Sequence, residues 1–583
     1  MSVIQNSIFG IDIQPIAVEI SRLRCFLSLV IEEKVKDEEY NRGINPLPNL
    51  DFKFIIANSL IGLEENSQMS LFENEEHINR LKAVRDEYFN AESDRRTELK
   101  LEFKDIQQDM LLNTIANYQK QASVRYQQLS SWKPFENEST NWFDADWMFG
   151  VKDGFDIVIG NPPYLEARNS NFPDWEKDIL QKQLKQRYGK KFDLITRGSD
   201  LLIYFYELSL RMIKPDGINA FITQNSWLDT EYGAKFQQFL LNMTNVLAII
   251  DSDFKAFESA NINTVITFFE GNKGCKKDVV FARCHKSFID YHFPVENNSN
   301  EINEDATIKK FSKDSDLITN NKWGFLFNSD IEFLNLMQSL NKVGKKENEV
   351  NWLKIGQGLN ITKDYVITDI PKFITKENLI PYLNVDESGF YDWKTTKTYI
   401  LSNEKLSREQ VKQINQNGIK VFDEIKTKRN KPSLILPRGV GGKHFCSINS
   451  NKGYSASCVD IYLNQDKYLP NLWIFMNSTL FWLIREMSGR KSLGGGMLKA
   501  EAVDLKQFPI YFEFNNVEEI KNLMIETSDI KVLNATEELE TAHHKRIDAF
   551  VFKELEISHE MQNYIINKFV EKFNDRVNKS KTK

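Results

Sequence analysis

Apolar and polar positions along this chain change period repeatedly, and the changes mark out its elements. Ile8-Phe9-Gly10-Ile11-Asp12-Ile13 is a short apolar strand carrying an acid at its end. Pro15 then suits the first turn of a helix running through Ala17, Ile20, Leu23, Leu27 and Val30. A strand followed at once by a helix is half of a βαβ unit. Leu50 to Asn58 reads as the next strand, with Asn58-Ser59 at its carboxyl end. Beyond Glu64 the sequence becomes highly charged with helical spacing (Ile78, Leu81, Val84, Tyr88; then Leu99, Leu101, Phe103, Ile106). That pattern predicts a helical hairpin inserted over 64–135 with its charges solvated, a protein-contact role being the alternative.

The Ile and Val run Phe155–Gly160 predicts a buried parallel strand, and it ends in Asn161-Pro162-Pro163-Tyr164. Gly198-Ser199-Asp200 opens a helix from Leu201 to Ile213, closed by Lys214-Pro215-Asp216-Gly217. Strand Ile218–Thr223, helix Tyr232–Asn242, strand Val246–Asp251 and strand Thr264–Glu270 follow. Alternation of this kind predicts an α/β, doubly wound sheet with helices on both faces over residues 1–327. From about Asn328 strand-like runs (Leu379–Leu383, Thr398–Leu401, Ser433–Leu436, Val459–Leu463) alternate with polar linkers, and a helix spans Asn471–Met487. They predict a mixed α+β domain over 328–515, with amphipathic helices over 516–583 packing on it.

Composition narrows the class. A chain of 583 residues is too long for one core. No apolar run approaches the roughly 18 residues of a membrane span. No secretory signal is evident, so an intracellular, cytoplasmic protein with no membrane partner is expected. The five cysteines are scattered and the histidines lack ligand spacing, which argues against a disulfide framework or a metal site. His543-His544 reads as a solvated or capping pair. Net charge is −7, from 75 basic and 82 acidic residues, which excludes a general nucleic-acid coat but leaves room for a local DNA cleft. Positive charge gathers from Lys426 through Arg438 and Lys443, and in the tail Lys579–Lys583.

Ligands of open α/β sheets bind outside the carboxyl ends of the strands, where Asn161-Pro162-Pro163-Tyr164 falls. Two prolines fix φ and remove two donors, leaving a stiff turn of carbonyl oxygens, the Asn161 amide and an aromatic ring. Those parts suit a planar molecule with an exocyclic amine: oxygens accept its N–H groups while the ring stacks on its face. Asp12 either caps the helix that follows or accepts both ribose hydroxyls of a nucleoside cofactor.

The ordered set Gly-Ile-Asp-Ile-x-Pro-x-Ala, Ile-Ile-Ala-Asn-Ser-Leu, Phe-Asp-x-Val-x-Gly-Asn-Pro-Pro-Tyr, Asp-Leu-x-x-x-Phe-x-Glu and Gly-x-x-x-Phe-Ile-Thr is similar to γ-class N6-adenine DNA methyltransferases. Among these the chain most resembles the large type IIG restriction–modification enzymes. The resemblance implies a Rossmann-like class I methyltransferase sheet, S-adenosylmethionine as cofactor and double-stranded DNA as substrate. It implies that Asp12 holds the cofactor ribose, that Ile13 packs on its adenine ring, and that Asn58, with Ser59 and Asn161, completes the cofactor contacts. Asn58 stands where the family usually has Asp. Asn161, Pro162, Pro163 and Tyr164 would be catalytic; Asp200 would shape the pocket, and Tyr164 and Phe257 would stack on an extruded base. Arg438, Lys443, Arg490 and Lys491, with the glycines after Arg490, would face DNA from a target-recognition domain.

Family members place a glycine-containing cofactor loop one strand and helix before the ribose acid, yet only eleven residues precede Asp12. The expectation is therefore a chain corresponding to the C-terminal part of a longer frame, or one half of a split enzyme. A separate N-terminal chain would then carry the glycine loop and a nuclease. Two other readings stand beside it: a catalytically incomplete DNA-recognition fragment, and a methyltransferase for a glutamine side-chain amide.

Overall fold

The computed structural model describes residues 2–32, 34–38, 40–43, 50–64, 75–91, 93–116, 124–136, 138–254, 256–257, 263–271, 278–286, 301–302, 305–320, 322–372, 374–383, 389–403, 406–423, 429–493, 497–510 and 512–578. Internal contacts divide the chain into two compact units, Met1–Trp323 and Gly324–Lys583.

The N-terminal unit is α/β, as its periodicity predicts. Helix α1 (Ser2–Ser7) leads into β1 (Gly10–Asp12), α2 (Pro15–Glu32) and β2 (Phe54–Ile56). β1 and β2 pair in parallel, Asp12 opposite Ile56. The strand expected over Leu50–Asn58 is shorter, because Leu50 accepts the Lys53 N–H and holds the first residues in a turn. The charged insertion carries α3 (Glu75–Asn90), α4 (Ser93–Ala116) and α5 (Val124–Ser130), and the short helix α6 (Ala145–Phe149) follows it. α3 and α4 pack as the expected hairpin, around a core of Phe52, Leu81, Tyr88, Leu99, Phe103, Trp132, Trp142 and Trp147.

A seven-stranded sheet follows: β3 (Phe155–Gly160), β4 (Ile213–Gln224), β5 (Asn245–Ser252), β6 (Thr264–Glu270), β7 (Val279–Cys284), β8 (Glu301–Ile302) and β9 (Ala306–Phe311). Its order is β3-β4-β6-β5-β7-β9-β8. β3 and β4 are parallel, as are β5 and β7, while β6 runs antiparallel to both its neighbours. The connection 253–263 is too short for the helical crossover that a parallel strand requires. Helices α7 (Asp174–Tyr188), α8 (Leu201–Met212) and α9 (Glu231–Met243) complete the unit. Tyr206 of α8 is fully buried among Phe221, Trp227, Phe236 and Phe269, tying helix to sheet.

One expectation fails outright. β3 is not an interior strand: it lies at the sheet edge, and Ile157 and Ile159 are 61% and 80% exposed. The apolar stripe of α2 likewise faces outward, with Val18, Cys25 and Phe26 turned to the core instead.

The C-terminal unit contains two four-stranded sheets. In one, Leu434–Pro437 lies between Ser447–Ile448 and Cys458–Leu463, with Leu353–Gln357 outside the latter. In the other, Tyr399–Leu401 and Leu379–Leu383 are central, and Val366–Ile367 and Tyr454–Ser455 form the edges. The single helix expected over Asn471–Met487 is two, Leu469–Met476 and Thr479–Ser488. Asn477 breaks it by donating its amide to the Cys446 and Trp473 carbonyls, and Ser478 caps the second helix by accepting the Phe481 N–H. Residues 516–578 contribute the helices Val517–Thr527, Ala542–Glu554 and His559–Asn578. His544 is not solvated: it is buried beside Thr479 and Asp548, while His543 meets Glu538 at 2.5 Å.

Candidate active site at the strand carboxyl ends

Gly160, the last residue of β3, lies opposite Phe221 of β4, and a Cβ there would come within 2.8 Å of the Phe221 ring. Glycine is thus required for the close approach that sets the direction of the chain into Asn161. Pro162 is buried, Pro163 and Asn161 are exposed, and Tyr164 is half-buried. The turn closes with the Leu165 N–H donating to the Pro163 carbonyl at 3.0 Å. Among the described residues the Tyr164 hydroxyl is buried without a hydrogen-bond partner, and burial raises its pKa. A stranded buried hydroxyl is costly, so its presence beside an exposed acceptor points to a ligand.

Asp200 holds this turn in place. Its carboxylate accepts the Ala167 N–H at 3.0 Å and the Gln224 amide at 3.0 Å, and it takes the Tyr232 hydroxyl as well. The Leu201 N–H donates to the Leu165 carbonyl. One buried acid thereby connects the segment after Tyr164, the end of β4 and the start of α9. Burial raises the Tyr232 hydroxyl pKa, and its bond to Asp200 adds to the shift. Asp200→Ala leaves these donors without an acceptor. It is expected to lower the stability of this unit by at least about 1–3 kcal/mol, read by urea unfolding, with Asp200→Asn losing less.

Asp12 and Asn58 lie at or just beyond the carboxyl ends of the parallel pair β1 and β2. Asp12 is exposed and accepts the Gln14 N–H at 2.8 Å, so it is a local cap as well as an available acid. Ile13 is 52% exposed. Both ends of the Asn58 amide are engaged: it donates to Glu176 at 3.2 Å and accepts the Leu60 N–H at 3.2 Å. Ser59 is half-buried beside it. The Phe9 ring lies 5.5 Å from that of Phe155, so β1 and β3 begin side by side.

Phe257 is half-buried within the described pair 256–257, and no ring contact joins it to Tyr164 among the described residues. A cavity of about 470 Å³ lies elsewhere, between Gly62–Glu64, Phe143–Asp146, Arg187 and the Arg211–Met212 end of α8, and none of the expected site residues lines it. In the C-terminal unit Arg438 is half-buried, and Lys443 donates to the Val532 carbonyl at 2.7 Å. Arg429 takes up Asp460 and the Tyr462 hydroxyl, and Lys431 lies 5.7 Å over the Tyr454 ring. Much of that basic stretch therefore serves the fold. Arg490 and Lys491 fall on the strand Arg490–Leu493, and their side chains, residues 424–428 and the tail 579–583 lie outside the description.

Sequence reasoning missed Glu176, Gln224 and Tyr232. Only the strand end before Asn225 hinted at Gln224; the other two join the site through contacts over 118 and 32 residues.

The α/β domain thus carries acids, amides and an exposed Asn-Pro-Pro-Tyr turn at or beyond the carboxyl ends of its strands, where ligands of open α/β sheets bind. Residues 6–257 match the family described as Eco57I restriction-modification methylase. The chain is 23% identical to a putative type II restriction enzyme and methyltransferase of Methanocaldococcus jannaschii, over 48% of this chain and 27% of that protein. It is 20% identical to the type II restriction enzyme and methyltransferase RM.Eco57I of Escherichia coli, again over 48% and 27%. The chain thus matches about a quarter of the length of these curated relatives. The DNA-bound type IIL restriction-modification enzyme MmeI aligns with a TM-score of 0.47 and 11% identity, over 99% of this chain and 74% of that one. Among the described residues no helix is long and apolar enough to cross a membrane, and no cluster of metal-ligating side chains occurs.

Proposed function

We propose that the N-terminal unit transfers a methyl group from S-adenosylmethionine to N6 of adenine in duplex DNA, as part of a restriction–modification system. The observation that carries this reading is the Asn161-Pro162-Pro163-Tyr164 turn, an exposed amide acceptor beside a half-buried ring whose hydroxyl has no partner among the described residues. The match to a restriction-modification methylase family and the likeness to type II restriction enzymes and methyltransferases support it.

The cofactor fits the residues present: Asp12 offers an exposed carboxylate for ribose hydroxyls, Ile13 an exposed apolar face, and Asn58 and Ser59 lie at the neighbouring strand end. S-adenosylmethionine, when bound, supplies an electrophilic methyl group. The target adenine is extruded from the duplex at a cost of a few kcal/mol. Stacking on Tyr164 and Phe257 offsets that by about 1–3 kcal/mol. Asn161 Oδ1 and the Pro162 carbonyl accept the N6 hydrogens, which frees the nitrogen lone pair from the ring. The protein supplies position and electrostatics, with no covalent intermediate on its side chains. In the C-terminal unit Arg438, Lys443, Arg490 and Lys491 serve DNA recognition.

Calorimetric titration of the chain with S-adenosylmethionine tests the cofactor role. Asp12→Ala removes charge-assisted hydrogen bonds and is expected to weaken binding about 10–100-fold. Absence of cofactor binding with DNA binding retained would favour the DNA-recognition fragment instead.

A further inference from the structure

We infer that Glu176 is a cofactor-binding residue: its free carboxylate oxygen accepts the exocyclic amine of the cofactor's adenine and so selects a 6-amino purine. The inference rests on the proposed use of S-adenosylmethionine and gives Glu176 a contact that Asn58 is poorly placed to make. Asn58 is held on three sides. Its backbone N–H donates to the Thr140 carbonyl at 2.8 Å, its amide nitrogen donates to Glu176 Oε1 at 3.2 Å, and its Oδ1 accepts the Leu60 N–H at 3.2 Å. Turning the amide toward a ligand would break both side-chain bonds, one of them to the main chain of buried Leu60. Asn58 therefore acts at the end of β2 as a fixed link to an acid on α7.

Glu176 lies in the first turn of α7, between two acids that are already paired. Asp174 meets Lys177 at 3.1 Å and Arg197 at 3.5 Å, and Asp178 meets Arg197 at 3.0 Å. Among the described residues Glu176 meets no cation, and its Oε2 takes no hydrogen bond. It is half-buried. A carboxylate kept beside a strand end with one oxygen open calls for a donor. The neighbouring strand end decides which donor. Asp12 pairs in register with Ile56, and the Ala57 N–H donates to the Asp12 carbonyl at 3.0 Å, so Asp12 and Asn58 are near neighbours across the parallel pair. Ribose hydroxyls on Asp12 and a purine face on Ile13 direct the edge of the base across that pair, toward Asn58 and Glu176. An ionised carboxylate only accepts. It suits the N–H groups of a 6-amino purine and repels the oxygen of a 6-oxo purine. Such a charge-assisted bond is roughly twice as strong as one to the neutral Asn58 Oδ1.

The test is calorimetric binding of two compounds to the full chain: S-adenosylhomocysteine, and its analogue with hydrogen in place of the adenine amine. The unaltered chain should bind the adenine compound about 10–100-fold more tightly than the analogue. Glu176→Ala should bind the two alike, by losing affinity for the adenine compound alone, while Glu176→Gln, which keeps an acceptor oxygen, should retain part of the preference. Asn58→Ala leaves the carboxylate in place and should keep the preference, with thermal melts showing that each variant is folded. If Glu176 serves only to hold Asn58, Glu176→Ala will weaken both compounds equally and leave their ratio unchanged, which overturns the inference. A preference lost in Asn58→Ala and kept in Glu176→Ala would assign the contact to Asn58 and overturn it as well. Equal binding of both compounds by the unaltered chain would overturn this inference alone, whereas binding of neither would overturn the cofactor reading with it.

Discussion

Asn161→Ala is expected to cut methyl transfer by about 10²–10³-fold while leaving cofactor binding and the melting temperature nearly unchanged. The separation follows from where Asn161 sits. Its side chain is exposed and, among the described residues, makes no hydrogen bond, so its removal strands no partner in the fold. Its proposed contribution is made where charge develops on N6, and one such contact is typically worth two to three orders of magnitude in rate. Asn161→Asp keeps an acceptor oxygen and should lose less. Single-turnover transfer to a methylatable duplex, set beside calorimetric binding of the cofactor, separates the two effects.

Glu486→Gln should destabilise the C-terminal unit by about 3–5 kcal/mol, the usual cost of leaving a buried charge without its counterion. Glu486 is fully buried; it accepts Arg576 Nη2 at 2.6 Å, Arg576 Nε at 3.0 Å and His444 Nε2–H at 2.9 Å. Arg576 also donates to the Val440 carbonyl at 3.1 Å, so the cluster pins the strand beside Arg438 to the C-terminal helix. Burial alone would raise the Glu486 pKa, but the hydrogen bonds from His444 and Arg576 overcome it and hold it at about 2 against 4.5. Burial lowers His444 to about 4 against 6.5. Both signs agree. As pH falls from 6.5 towards 4 the unfolded chain takes up a proton on His444 that the folded chain refuses. Below about 4.5 the same holds for Glu486, down to about 2. Urea unfolding should therefore show stability declining from pH 7 to pH 4, and the decline below about pH 4.5 should be shallower in Glu486→Gln.

Strands β5 and β6 were legible because each is a continuous apolar run bounded by polar residues, and Leu379–Leu383 for the same reason. Direction was not: nothing in the apolar run Thr264–Glu270 states that it runs antiparallel, which the brevity of its connection decides. The exposure of Ile157 and Ile159 was illegible, since an apolar run records residue type and not whether its strand lies inside a sheet or at the edge. The break at Asn477-Ser478 was visible as two capping residue types inside an apolar helix, but its cause, the Cys446 carbonyl, lies 31 residues away. At the site, the Asn-Pro-Pro-Tyr turn and Asp12 could be read from sequence. The clamp of Asp200 on Gln224 and Tyr232 could not, because each bond crosses an intervening element.

The central claim is adenine methylation by the Asn161-Pro162-Pro163-Tyr164 turn, and base-resolved mapping of N6-methyladenine in the native genome tests it most directly. Cells carrying the unaltered gene should methylate adenine at one defined DNA sequence, and cells carrying Asn161→Ala should lose that sequence and no other. An identical methylation map in the two strains would contradict it.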